Sequence, residues 1–103
     1  MNSILMNLRT TTKLKGMNMN EIEKRISDLR NRICAHEKEI DYARIRIEEA
    51  IEEVHKWPDC PNTIVEQGLI ISGIQQEIQE IQSKIDDLKE NITKLWEIYL
   101  MNN

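Results

Sequence analysis

From Met19 onward the apolar residues recur in steps of three and four in strict alternation, and few folds can use such a pattern. One series runs Met19, Ile22, Ile26, Leu29, Ile33, His36, Ile40, Ala43, Ile47, Ala50, Val54 and Trp57. A second runs Ile64, Gln67, Ile71, Ile74, Ile78, Ile81, Ile85, Leu88, Ile92, Leu95 and Tyr99. A strand alternates with period two, whereas a mean step of 3.5 residues holds one stripe of an α-helix against a partner helix. The expected fold is therefore all-α, with coiled-coil helices over 19–57 and 63–101.

The stretch between them, "HKWPDCPNTIVE", contains both prolines of the chain. Pro58 has no amide hydrogen and disfavours helical geometry at Trp57, so the first helix stops there. Thr63 and Glu66 have the spacing of a capping box, which opens the second helix. A turn over 58–62 has the length that joins antiparallel helices. The chain is thus expected to fold back as a long two-helix hairpin.

An antiparallel pair must match the two series in one register. Placing Trp57 against Ile64 and moving outward gives every seam residue a partner, down to Ile22 against Tyr99. The same register sets Arg46 beside Glu77, Glu39 beside Lys84 and Glu37 beside Lys89. The apolar pattern required none of those opposite signs, so they support the register independently. Two seam positions are polar, His36 facing Ile85 and Gln67 facing Val54. A polar residue in a coiled-coil core fixes register or oligomer state at a cost in stability, and this reading of His36 is preferred to a pH switch.

A hairpin buries one side of each helix and leaves apolar residues over. Ile51, Val65, Leu69 and Ile70 cluster near the bend, and Trp96, Ile98, Leu100 and Met101 gather at the open end, all outside the seam. Burying a Leu or Ile side chain is worth roughly 1.5–3 kcal/mol, so these residues are the candidate interface for further copies or for a helical partner. Gly68 and Gly73 lie inside the second helix, where each costs about 1 kcal/mol relative to Ala. Beside Ala43 and Ala50, they would permit a close backbone approach, either between the arms or to an incoming helix.

Composition limits the chemistry. The net charge of −4 argues against a nucleic-acid or anionic-membrane binder. No run approaches the roughly 18 apolar residues of a membrane span, so a soluble chain is expected. Two cysteines, Cys34 and Cys60, are too few for a disulfide framework and suit the reducing cytoplasm. His55 and Cys60 supply two of the four ligands a structural zinc usually takes, and Cys34 and His36 lie far along the helix, so no metal or cofactor is expected. Glu48, Glu49, Glu52 and Glu53 read as a solvated stripe. No nucleophile–base pair, oxyanion loop or phosphate-binding glycine motif accompanies them, so no catalytic residue is assigned. Asn91-Ile92-Thr93 matches a glycosylation sequon, but Ile92 is a seam residue.

The first sixteen residues carry Arg9, Lys13 and Lys15 and no acid. Lys15-Gly16 is encoded AAR-GGN, a string resembling a bacterial ribosome-binding site a few nucleotides before the Met19 codon. The expectation is that translation starts at Met17 or Met19 and that residues 1–18 are a translated leader; the alternatives are a disordered basic arm or a targeting presequence.

Two functions fit a chain of this kind. One is a non-enzymatic scaffold or adaptor whose hairpins assemble into a helical bundle and act through protein–protein contacts. The other is a small inhibitor of the type encoded by phages and mobile elements, which binds one host protein or sequesters a small anionic ligand between subunits. The Ile-, Asn-, Lys- and Glu-rich composition of an AT-rich genome suits that setting. Arg30, Arg32, Arg44 and Arg46 are the basic residues such a ligand would meet, although the acids interleaved with them make surface ion pairs the simpler expectation.

Overall fold

The computed structural model describes residues 18–101. Two helices, α1 (Met19–Lys56) and α2 (Pro61–Met101), of 38 and 41 residues, form a hairpin, with no strand among the described residues. The described chain divides into an open-end unit, residues 18–34 with 86–101, and a bend unit, residues 35–85.

Asn18 starts α1. Its Oδ1 accepts the Glu21 amide at 2.8 Å, its Nδ2 donates to Glu21 Oε1 at 2.8 Å, and its carbonyl accepts the Ile22 amide at 3.2 Å. This is a reciprocal cap that satisfies amides with no partner inside the helix. Asn18, expected to lie in the leader or arm over 1–18, is thus the residue that caps α1. What was expected of residues 1–17 lies outside the described residues.

In the open-end unit, Ile22, Ile26, Leu95 and Ile98 form a buried cluster, with Leu29, Ile92, Trp96 and Tyr99 packed against it. Two residues expected to be surplus, Ile98 and Trp96, are thus part of the hairpin's own packing: Ile98 is buried and Trp96 half-buried. The cause lies in Tyr99. Its hydroxyl donates to Glu23 at 3.1 Å and its ring stands 5.3 Å from that of Trp96, on one flank of the seam. Ile98 is buried in one cluster with Ile22, Ile26 and Leu95.

In the bend unit, the buried side chains are Ile40, Ala43, Ala50, Ile74 and Ile85, all seam positions. The expected pair between Arg46 and Glu77 forms at 3.1 Å. Half-exposed, it is worth up to ~1 kcal/mol. Glu39 turns instead to His36 on its own helix, so its expected pairing with Lys84 gives way to a bond one turn away. Glu37 and Lys89 fall in different units.

The link is shorter than expected. The Cys60 amide donates to the Trp57 carbonyl at 3.1 Å, closing a β-turn with Pro58 at its second position, where proline's fixed φ suits the turn. Cys60 then caps α2: its carbonyl accepts the Ile64 amide at 3.2 Å, and Pro61 takes the first helical position, where a missing amide costs nothing. α2 accordingly starts two residues before Thr63, and the expected Thr63–Glu66 box is replaced. Thr63 donates its hydroxyl to Cys60 Sγ at 3.2 Å. Trp57 and Ile64, the expected innermost seam pair, are 57% and 44% exposed, because a four-residue turn cannot also bring their side chains together.

Candidate interaction surface

The bend unit leaves much of its apolar surface in solvent. Ile51, Val65, Leu69 and Ile70, the residues expected to be surplus there, are 42%, 60%, 70% and 47% exposed, and Trp57 and Ile64 join them. At the open end only Leu100 and Met101 of the expected group remain exposed. Sequence reasoning missed two residues on α1, Tyr42 and Ile45, both exposed. Ile45 stands opposite the seam, and that position alone could have revealed it.

The two polar seam residues are not core groups. His36 and Gln67 are half-buried, and no polar side chain among the described residues is fully buried. His36 meets the Glu39 carboxylate at the seam's edge. Gln67 lines an open groove of about 380 Å³ floored by Ala50, Ile70 and Ile74 and edged by Arg46, Glu49 and Glu53. A second groove of about 260 Å³ begins at Arg46 and runs along Ala43 and Ile81 to Lys84. Alanine explains both, since a methyl group cannot fill the space opposite an isoleucine.

Gly68 and Gly73 face outward. A β-carbon built on either would meet nothing within 4 Å, so a close approach between the arms is not what they serve. They leave hollows on the outer surface of α2, around Leu69.

Three of the four arginines considered for an anion have a neighbour of their own. Arg46 pairs with Glu77, Arg44 lies 3.9 Å from Asp41, and Arg30 rests over the Trp96 ring at 5.8 Å. Among the described residues, no three of His, Cys, Asp and Glu are grouped as a metal site requires. No helix among them is long and apolar enough to cross a membrane.

Two groups have shifted acidity. The Thr63 hydroxyl and the Thr63 and Asn62 amides direct hydrogen bonds at Cys60, lowering its thiol below the usual range. The helix start thus favours the thiolate, as it does other anions. The hydrogen bond to Glu23, and the charge of that carboxylate, raise the Tyr99 phenol.

The molecule is a helical hairpin with an unevenly covered seam. No protein-family profile matches the sequence, and comparisons with curated proteins and with solved structures find no significant match.

Proposed function

We propose that the chain is a non-enzymatic cytoplasmic protein that acts through protein–protein contacts, its hairpins associating with one another as a scaffold or adaptor. The observation that carries this reading is the concentration of exposed apolar side chains in the bend unit: Ile51, Trp57, Ile64, Val65, Leu69 and Ile70. Exposed apolar side chains in such number mark an interaction surface. Self-association needs no further component and gives those residues a second layer of helices. Two free thiols, Cys34 and Cys60, agree with a reducing compartment.

Light scattering on the purified chain tests the proposal, together with thermal melts at several protein concentrations. An associating protein is a dimer or larger at micromolar concentration, and its melting temperature rises with concentration. A monomer with a concentration-independent melt would overturn it in favour of a surface that receives a different helical protein. That is how an inhibitor of phage type would behave.

A further inference from the structure

We infer that two copies of this chain dock through the outward face of α2 near the bend, antiparallel about a two-fold axis at Leu69. The inference rests on the self-association proposed above and specifies its surface.

Leu69 is 70% exposed and lies on the side of α2 turned away from α1. Asn62, Val65, Gly73 and Gln76, at helical steps of three and four from it, share that side, and all are exposed. Reversing this stripe about Leu69 superposes it on itself. Val65 of one copy meets Gly73 of the other, Asn62 meets Gln76, and Leu69 meets Leu69. The exposed valine is received by a position where a β-carbon has nothing within 4 Å, and Asn62 can hydrogen-bond Gln76. A two-fold interface must be self-complementary in this sense.

Charge selects the same arrangement. From Asn62 to Gln76 the only charged residue is Glu66, which falls opposite the partner's Ser72. A parallel pairing would instead set Leu69 on Leu69, Gly73 on Gly73, Glu66 on Glu66 and Glu80 on Glu80, with hollows left empty and carboxylates opposed. In the antiparallel pairing, Glu80 of each copy falls opposite the other's Pro58, before the start of α2, so neither Glu66 nor Glu80 meets its own counterpart.

Oxidative cross-linking of single-cysteine full-length chains, with Cys34 and Cys60 changed to Ser, tests the docking. Leu69→Cys should form disulfide dimers efficiently, while Ile45→Cys on the outward face of α1 should not. Gly73→Ala should weaken the dimer roughly tenfold, ~1.4 kcal/mol, because its methyl group occupies the Val65 hollow. The same substitution should raise the melting temperature of the dilute hairpin through better helix propensity. An oligomer whose Leu69→Cys form does not cross-link, or links no better than Ile45→Cys, would overturn the docking face and leave self-association standing. A monomer at all concentrations would overturn both.

Discussion

The open end and the bend end repeat one heptad pattern, yet they bury it differently. At the open end, Ile22 and Ile26 cluster with Leu95 and Ile98, and Trp96 and Tyr99 pack against them. Near the bend, Ala43 and Ala50 occupy the heptad position that Ile22 and Leu29 hold at the open end, grooves open beside them, and Trp57 and Ile64 stay in solvent. A seam written in the sequence is thus a necessary condition for burial but not a sufficient one. The size of the residue across the layer, and the backbone's freedom to close it, decide how dry the layer becomes.

The sharpest test of this contrast sets Ile98→Glu against Leu69→Glu. The first places a carboxylate in a dry layer and should cost about 3 kcal/mol or more in urea unfolding. The second should leave the dilute hairpin within about 0.5 kcal/mol of the parent, since Leu69 faces solvent. Equal losses would erase the distinction between the two ends. Truncation gives a second measure. Ile22→Ala, at a fully buried position, should cost about 2–5 kcal/mol, and Ile64→Ala less than about 1.

Helix, hairpin and register were legible in the sequence because each rests on spacing: the 3.5-residue step, the prolines and the matched charges of Arg46 and Glu77. What could not be read depended on atoms rather than positions. Nothing in the spacing shows that Tyr99 bonds to Glu23 while Ile98 is buried beside it, or that Glu39 bonds to His36 and not to Lys84. The start of α2 was misread because Thr63 and Glu66 resemble a cap. Cys60 and Pro61, which form the actual one, are a less familiar pair for that role. Of the surplus residues, those near the bend were correctly read as exposed, and those at the open end only in part.

Smaller effects sharpen the comparison at each end. Asn18→Ala removes the cap of α1 and should cost about 1 kcal/mol in thermal unfolding, a loss a chain starting at Met19 would share and one starting at Met17 would not. At the bend, Thr63→Val in a Cys34→Ser background should slow alkylation of Cys60 near neutral pH and move its rate–pH midpoint upward. The folded thiol is depressed by hydrogen bonds that the valine weakens. The smallest effect belongs to Tyr99→Phe. Because the phenol is raised in the folded chain, its contribution is complete below the ordinary tyrosine range and is lost as pH rises through the folded value. The variant should therefore melt slightly below the parent at neutral pH, with the difference vanishing in alkali.

The bond from Tyr99 to Glu23 joins residues 76 apart in sequence, against 31 for Arg46 and Glu77. Loop-closure entropy grows only as the logarithm of length, so the wider loop costs just ~1 kcal/mol more to close. Against that small difference stand the buried cluster at the open end and the exposed Trp57 and Ile64 beside the turn. Helix ends ordinarily fray first. In this chain the amides near Ile22 and Leu95 should instead exchange with solvent more slowly than those beside the turn, an order that native-state hydrogen exchange would read directly.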